Sequence, residues 1–491
     1  MTSSPTVLDA LRSPRLLRIE VLAGLVTALA LIPEALSFSI LAGVDPAVGL
    51  FACFTTSVTI AFLGGRPAMI SGAAGAVALV IAPVVREHGM DYFLATVLLA
   101  GVFQVLLGLG GAARLMRFIP RSVMVGFVNA LAILIFSAQV PHLVDVPWAV
   151  YPLVAVGIVV IVLLPRLTTA VPSPLVAIVV LTGFVAATGL HLPTVGDEGA
   201  LPEGLPSFVL PDVPLTWETF RIIAPYAVAV ALVGMLESLL TAKLVDDITD
   251  TRSDKTRETV GQGGANLVTG LLGGICGCAM IGQTMINVKA AGARTRISTF
   301  LTGVFVLLLV VVFGDFVASM PMAALVAVMV MVSVMTFDWH SLMTLGRMPR
   351  SETAVMLTTA IVTVATHNLA IGVIAGVLVA MTLFARRVAH VTETHRELVE
   401  DEQGQVAVYR VTGELFFASS NDLYTQFDYA EDPDRVVIDL SRSHIWDAST
   451  VAALDGITTK YERRGTSVEI TGLNPASAER HGRLSGSLPS H

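Results

Sequence analysis

Charged residues and cysteines are scarce in this sequence. Only 14% of its 491 residues are Asp, Glu, Lys or Arg, whereas a soluble domain carries roughly a quarter. This composition argues against a purely soluble protein. The three cysteines are too few for a disulfide framework and all lie in apolar or glycine-rich stretches. No His or further Cys lies near Cys276 and Cys278, so a metal or redox pair is not expected there.

Signatures of several other protein classes are also missing. Residues 1–18 are short, polar and basic and lack an apolar run with a cleavage site, so we expect a cytoplasmic N-terminal segment and no signal peptide. No Ser/His/Asp, metal or nucleotide constellation indicates an enzyme or a cofactor. The net charge of −8 comes from an acidic C-terminal region, which is typical of a solvated domain and does not indicate nucleic acid.

Long apolar runs are abundant instead, since 54% of the residues are hydrophobic. A spanning helix needs about 20 apolar residues, and fourteen runs are predicted as spans, which makes this a multi-pass helical membrane protein. The first seven are 20–42, 46–63, 73–85, 91–110, 120–140, 148–164 and 172–189. The second seven are 222–242, 258–272, 280–289, 297–313, 318–336, 352–366 and 369–385. We expect a transmembrane transport domain over 19–390, with repeats of about 19–190 and 220–387.

Basic residues predict the orientation of these spans. If the chain starts in the cytoplasm, nearly all Lys and Arg of the loops fall on the cytoplasmic side, and the opposite loops hold little beyond Arg86 and Arg221. Lys and Arg resist translocation. We therefore expect a bacterial inner-membrane protein with both termini in the cytoplasm.

Two predicted spans, 73–85 and 280–289, are too short for a 30 Å hydrocarbon core at 1.5 Å per residue. Each follows a Leu-Gly-Gly triplet, at 63–65 and at 272–274. An odd number of spans inverts the second half relative to the first. Two sevens therefore predict an inverted repeat in which two half-helices face each other near the membrane midplane.

The amino ends of these half-helices are the predicted substrate site. Unpaired N–H groups and the positive end of the helix dipole attract an anion, and small residues let the backbone approach a ligand. Close helix packing is the alternative use of the same small residues. The candidate residues are Gly72, Ala73, Ala74 and Gly75 in the first half, and Ala279, Met280, Ile281, Gly282 and Gln283 in the second.

Two acidic residues lie inside predicted spans, where an unpaired charge costs several kcal/mol. Glu34 follows Pro33, which can break the first span, and Glu237 lies in the eighth with Thr241 one turn further on. Either carboxyl can carry a proton or bind a cation, or it can serve a structural hydrogen bond. Phe38 lies one turn beyond Glu34. Its ring either lines the substrate site or packs against neighbouring helices without a role in binding.

The composition changes near the C-terminus. We expect a linker at 391–404, a small α/β domain at 405–480 with the order β-β-α-β-α-β, and a disordered tail at 481–491. VAVYRV and GELFFAS alternate like its first two strands.

Three segments carry a family resemblance. PEALSFSILAGVDPAVGLF at 33–51 resembles the first span of the sulfate permease (SulP) family, the bacterial relatives of solute carrier family 26. LESLLTAKLVDDITDT and GQGGANLVTGLLGG resemble its eighth and ninth spans. The tail resembles a STAS domain, with DAST at Asp447–Thr450 where anti-sigma-factor antagonists have an Asp-x-Ser-Gly turn.

The resemblance implies a seven-plus-seven inverted repeat, a core domain (spans 1–4 and 8–11) that slides against a gate domain (5–7 and 12–14), and commonly a homodimer. It places the anion between spans 3 and 10, lined by span 1. Glu34 occupies a place that is often Gln, and Phe38 matches an aromatic beside the anion. Glu237 matches an acidic position tied to proton or sodium coupling, and Thr241 its hydroxyl partner.

Four positions qualify the resemblance. Sodium-dependent bicarbonate members carry hydroxyls where this chain has Ala74 and Ile281, and vertebrate members carry Arg where Gln283 stands. Ser449 aligns with the regulatory residue phosphorylated in antagonists, although an N-cap of the following helix is the preferred interpretation.

Together these features predict a secondary transporter of a small anion, such as bicarbonate, sulfate or a dicarboxylate. Proton-coupled symport by elevator-like alternating access is the leading prediction. The alternatives are a sodium-coupled bicarbonate symporter, an uncoupled anion channel, and a membrane sensor that signals to a cytoplasmic protein through STAS. The other expected partner is membrane lipid.

Overall fold

A computed structural model describes residues 5–114, 119–167, 172–389, 392–401 and 404–486 of the chain. The chain divides into two compact units, residues 1–377 and 378–491. The boundary falls within one long helix, Leu369–Ala389. The first unit is almost entirely helical, and the second contains a four-stranded sheet.

The elements of the first half are α1 (Val7–Arg12), α2 (Pro14–Ala42), α3 (Pro46–Leu63), β1 (Ser71–Ala73), α4 (Gly75–His88), α5 (Met90–Leu109), α6 (Arg121–Gln139), α7 (Val150–Leu167) and α8 (Ser173–Thr188). Those of the second half are α9 (Trp217–Thr249), α10 (Lys255–Leu271), β2 (Gly277–Ala279), α11 (Ile281–Met285), α12 (Arg296–Val312), α13 (Gly314–Ala318), α14 (Met322–Thr336), α15 (Trp339–Thr344), α16 (Arg350–Thr366) and α17 (Leu369–Ala389).

Each of the fourteen predicted spans overlaps one of these helices, and their order fits seven in each half. Eight of the described helices are long and apolar enough to cross a membrane. Ser173–Thr188 and Arg296–Val312 are shorter apolar helices. The multi-pass helical class is therefore confirmed, while the count of fourteen spans stays a prediction.

The two expected half-helices are short in the structure. α4 has 14 residues, which corresponds to about 21 Å at 1.5 Å per residue. α11 has only 5 residues and continues into a π-helical turn, Ile286–Ala290. Neither α-helix can cross a 30 Å core alone.

One sequence expectation about α2 is wrong, because Pro33 does not break the helix. α2 runs without interruption through Pro33 to Ala42. Proline removes a single backbone donor, and the hydroxyl of Ser37 donates back to the Pro33 carbonyl oxygen at 2.9 Å. The other turns of this largely buried helix stay intact, so Glu34 projects from regular helix.

A short antiparallel ribbon joins the two halves of the membrane unit. β1 pairs with β2 so that Ser71 lies opposite Ala279 and Ala73 opposite Gly277. A Cβ on Gly277 would lie 2.7 Å from the Gly72 carbonyl oxygen, so only glycine permits this approach. Because the paired strands run in opposite directions, α4 and α11 leave the ribbon from its opposite ends.

The second unit contains a sheet with the order β3-β4-β5-β6. β3 and β4 are antiparallel, and β4, β5 and β6 are parallel. Tyr409, Ile438 and Leu454 lie fully buried in its core. The elements are β3 (Glu393–Asp401), β4 (Gly404–Leu415), α18 (Phe417–Leu423), β5 (Arg435–Ile445), α19 (Ala448–Glu462), β6 (Ser467–Thr471) and α20 (Pro475–Leu484).

The structure corrects the predicted boundaries of this unit. The expected linker at 391–404 contains strand β3, and its Arg396 forms a 2.7 Å ion pair with the buried Asp432. VAVYRV and GEL belong to one strand, β4, because the chain passes Gly413 without a turn. The expected disordered tail, 481–491, is helical up to Leu484. Residues 1–4, 391, 402–403 and 487–491 of the predicted segments lie outside the described residues.

Candidate functional site

The amino end of α4 is buried and lacks a side-chain cap. Ala74 is its N-cap residue and supplies no capping hydrogen bond. Ala73, Ala74 and Gly75 are all buried. A Cβ on Gly75 would lie 2.6 Å from Cε1 of Phe38, so the Phe38 ring packs directly on this helix end. The predicted juxtaposition of Phe38 with the first half-helix is present.

The amino end of α11 is likewise uncapped. Met280 is its N-cap residue and makes no side-chain cap. Met280 and Gln283 are buried, Ile281 is partly buried, and Gly282 is exposed. Nothing lies within 4 Å of a Cβ built on Gly282. Open space therefore adjoins the backbone at this helix end.

Three helices of the second half, α9, α10 and α12, do have side-chain caps, whereas α3, α5, α6, α8, α14 and α16 lack them as α4 and α11 do. The N-cap side chains of α9, α10 and α12 each accept a backbone N–H, from Thr219, Arg257 and Ile297 respectively. At α4 and α11 the N-cap residues, Ala and Met, have no oxygen to offer. Free N–H groups and the helix dipole then favour a negatively charged ligand at these two ends.

Glu34 connects α2 to the site. The side chain of Gln283 lies beside the Glu34 carboxyl. The residue Glu34 as a whole is partly buried. Gln283, at the position where vertebrate relatives are expected to carry Arg, leaves this carboxyl without a cationic partner.

Glu237 lies on α9 against the ribbon. The thiol of Cys278 donates to Oε2 of Glu237 at 3.0 Å. The hydroxyl of Thr241 bonds to the carbonyl oxygens of Glu237 (2.8 Å) and Ala279 (3.0 Å), and the Ser238 hydroxyl accepts the Ala279 N–H at 3.0 Å. Thr241 therefore holds the ribbon on α9 and does not bond to the Glu237 carboxylate.

The two membrane carboxyls both border the region of the uncapped helix ends. Glu34 lies on α2 beside Gln283 of α11, and Glu237 lies on α9 beside Cys278 of the ribbon. Within the described residues neither forms an ion pair with Lys, Arg or His. A negatively charged ligand between α4 and α11 would add a third negative charge, unless a carboxyl takes up a proton.

Ser449 lies in the second unit and does not cap a helix, contrary to the preferred interpretation. Helix α19 begins at Ala448, so its N-cap is Asp447, whose side chain accepts the Thr450 N–H at 3.0 Å. Ser449 is exposed one residue inside the first turn. The predicted N-cap was wrong because the helix begins two residues earlier than expected. Asp447 therefore precedes the helix, and Ser449 lies within it.

Sequence reasoning missed two buried acids and one thiol. Glu258 is fully buried and accepts the N–H groups of Gly65 and Arg66. Glu20 accepts those of Arg294, Thr295 and Ser298. Both lie near helix starts beside charged loops, where acids in the sequence give no signal of burial. The bond between Cys278 and Glu237 joins residues 41 apart and left no local pattern.

The comparisons with known proteins follow the two structural units. The model of the Sulfate permease family matches residues 17–359, and that of the STAS domain matches residues 397–485. The chain belongs to the sulfate permease family. Its membership confirms the suspected resemblance, and the family consists of transporters and not of enzymes.

Curated relatives extend over most of the chain. "Putative sulfate transporter YbaR" of Bacillus subtilis (strain 168) is 51% identical over 461 residues, which cover 94% of this chain and 95% of the relative. "Bicarbonate transporter BicA" of Picosynechococcus sp. is 25% identical over 87% of this chain and 83% of the relative.

Solved structures share the fold of this family member. Murine Slc26a9, described as an anion transporter in the inward-facing state, matches with a TM-score of 0.81 at 17% identity, over 95% of this chain and 87% of the neighbour. The transmembrane domain of the cyanobacterial bicarbonate transporter BicA matches with a TM-score of 0.65 at 24% identity, over 75% of this chain and 98% of the neighbour. These likenesses support the multi-pass membrane fold with a small C-terminal STAS domain.

Proposed function

We propose that this protein is a proton-coupled symporter of a small oxyanion. One observation carries the proposal: two carboxyls, Glu34 and Glu237, adjoin two uncapped helix ends and form no ion pair within the described residues. The helix ends bind the anion, and the carboxyls make that binding depend on protons.

The coupling follows from electrostatics at low dielectric. Repulsion between like charges is many times stronger in a membrane interior than in water. When Glu237 is ionised, an anion at α4 and α11 faces two negative side chains. Protonation of Glu237 removes one of them, so anion and proton bind together and leave together.

The substrate class is argued from the donors that the site offers. Backbone N–H groups at helix ends suit a tetrahedral or planar oxyanion. We propose sulfate as the first substrate to test, because the 51% identical relative is named a putative sulfate transporter. Bicarbonate is the second, in view of BicA, and a dicarboxylate is the third.

Protons are favoured over sodium as the coupling ion. Ala74 and Ile281 supply no side-chain oxygen at the two positions where the resemblance places hydroxyls. Na⁺ prefers several oxygen ligands, which makes this constellation a poor sodium site. The two acids also favour a coupled transporter over an uncoupled channel.

The Glu237→Gln variant tests the coupling. We expect wild-type protein in liposomes to accumulate labelled sulfate when the outside is acidified, because the inward proton gradient drives symport. We expect the variant to equilibrate sulfate without accumulation, since an amide cannot carry the proton. Uptake is measured with and without the imposed pH gradient in sodium-free buffer.

The Glu218→Gln variant is the matched control, because Glu218 is an exposed acid in the first turn of the same helix. It should respond to the gradient like the wild type. If Glu237→Gln keeps its full response to the gradient, the proposed proton role is wrong. The same assay with bicarbonate and a dicarboxylate as competitors ranks the substrates.

Topology and assembly complete the proposal. We propose an inner-membrane homodimer with cytoplasmic termini that works by elevator-like alternating access, supported by the one-sided Lys and Arg distribution and by the family fold. Reporter fusions at each terminus test the orientation, and native mass spectrometry tests the dimer. A terminus found in the periplasm would contradict the proposed orientation. A monomer would contradict the proposed homodimer.

A further inference from the structure

Cys278 contacts the proposed coupling acid at the point where the two halves of the membrane unit meet. It is fully buried, and its thiol donates to Oε2 of Glu237 at 3.0 Å. We propose that Cys278 is a positioning residue, whose thiol orients the Glu237 carboxylate and links its protonation to the anion-binding end of α11. This inference rests on the proposed function, because it assigns the partner of the proton carrier.

The chain around Cys278 gives that link a short path. Cys278 is the central residue of β2, and Met280, the N-cap of α11, lies two residues further on. The intervening Ala279 is fixed to α9 through Ser238 and Thr241. A change in the bond between the Cys278 thiol and the Glu237 carboxylate therefore shifts the β1–β2 ribbon. The shifted residues directly precede the first N–H groups of α11.

Hydrogen-bond chemistry makes the link sensitive to charge. A thiol is a weak donor that bonds best to an ionised acceptor. An ionised Glu237 only accepts, and so it holds the thiol of Cys278. A protonated Glu237 becomes a donor itself, and the thiol then loses its charged acceptor. The ribbon therefore has a different side-chain bond in each protonation state.

Cys276 provides an internal comparison. It is two residues earlier and equally buried, yet its thiol donates to the neutral carbonyl oxygen of Val97 at 3.6 Å. This bond contains no titratable partner. Cys276 thus shares the size and burial of Cys278 without its acidic acceptor, which makes it the matched control.

The other titratable groups near Glu237 are few. Glu34 lies on α2, which also lines this region, and Cys278 on β2 bonds to Glu237. α11 itself, Ile281–Met285, contains no titratable residue. The titratable groups of α4, α5 and α10, which also pack against α9, lie within a turn of an end of their helices. These are Arg86, Glu87, His88, Asp91, Tyr92, Lys255, Arg257 and Glu258.

The first test compares the pH profiles of sulfate uptake for wild-type protein and the Cys278→Ala, Cys278→Ser and Cys276→Ala variants in liposomes. Losing a donor to a carboxylate disfavours its ionised form, so we expect Cys278→Ala to shift the midpoint upward by about one pH unit. Cys278→Ser keeps a donor and should restore the wild-type midpoint. Cys276→Ala should leave it unchanged.

A second test does not depend on transport. In a Cys53→Ala/Cys276→Ala background, Cys278 is the only thiol of the chain. Infrared difference spectra between high and low pH should then show a shift of the S–H stretching band. Addition of Glu237→Gln should abolish that shift, because the acceptor no longer titrates.

The outcomes separate this inference from the proposed function. A wild-type protein whose uptake ignores pH contradicts proton coupling, and the infrared shift still decides whether Cys278 senses Glu237. If wild-type uptake depends on pH and the profiles of Cys278→Ala and Cys276→Ala coincide, the positioning role is wrong. A pH-independent S–H band overturns it as well.

Discussion

Gly75 and Phe38 control access to the first half-helix. The Phe38 ring occupies the position of the missing Gly75 side chain, 2.6 Å from where a Cβ would lie. Only a residue without a side chain permits this contact. The ring therefore covers the amino end of α4.

The Gly75→Ala variant tests this arrangement. The added methyl must displace the Phe38 ring, and overpacking of this kind typically costs about 1–3 kcal/mol. The displaced ring no longer packs on the amino end of α4, so we expect the KM for sulfate to rise about tenfold, which corresponds to about 1.4 kcal/mol of binding free energy. The helix propensity of alanine offsets part of the packing cost in folding stability. Uptake at varied sulfate concentration gives the KM.

The control for that variant is Gly183→Ala in α8, where a Cβ would meet nothing within 4 Å. Its KM should equal that of the wild type. A Gly75→Ala protein with an unchanged KM would show that the Phe38 contact does not shape the site. A double Gly75→Ala/Phe38→Leu variant should recover part of the affinity if the ring is the obstacle.

Glu34 and Glu237 could be predicted as special because acids are expensive in apolar spans, and that argument needs only their neighbours in the sequence. That both adjoin the uncapped helix ends could not be predicted, since 203 residues separate them along the chain. Thr241 was expected to help Glu237 as a side-chain partner. Its hydroxyl bonds to main-chain oxygens instead, because helical Thr readily bonds one turn back.

At the scale of elements, the half-helices were predictable because length is a strict criterion in a membrane. The β1–β2 ribbon was not. Three-residue strands made of Ser, Gly, Ala and Cys have little β propensity. Their pairing arises because the inverted halves bring two backbones together where no side chain intervenes.

Strand β3 shows the opposite error. It was predicted as a linker, although its charged residues are typical of an edge strand that must not aggregate. The ion pair between Arg396 and the buried Asp432 ties it to the domain. The strand character of β4 could be predicted from its alternation of apolar and polar residues, but its continuity through Gly413 could not.

The capping of α19 yields a test at this scale. The Asp447 carboxylate accepts the N–H groups of Thr450 (3.0 Å) and Phe417 (2.6 Å). Removing an N-cap costs about 1 kcal/mol, so Asp447→Ala should raise amide hydrogen exchange in Ala448–Glu462 roughly fivefold. Exchange is measured on the full-length protein by mass spectrometry.

Ser449→Ala is the control, because the exposed Ser449 does not cap the helix. Its exchange in the same segment should match the wild type. If both variants accelerate amide hydrogen exchange equally, Ser449 contributes to capping as much as Asp447 does. It would also contradict the position of the helix start at Ala448.

For the whole molecule, one design feature determines the site. The amino ends of the two half-helices flank a shared ribbon, as the predicted seven-plus-seven repeat with inverted halves requires. The sequence supports this layout through span lengths and the Leu-Gly-Gly triplets. It could not reveal that α2 and α9 each add one carboxyl to the same small region, because that depends on packing across the whole unit.

The most direct measurement of the central claim is a density map of the protein with tungstate, an electron-rich analogue of sulfate. We expect one strong tungstate peak at acidic pH between the amino ends of α4 and α11, beside Phe38 and Gln283. At alkaline pH we expect a weaker peak at the same position. A peak elsewhere in the membrane unit, together with tungstate competition for sulfate uptake, would contradict it.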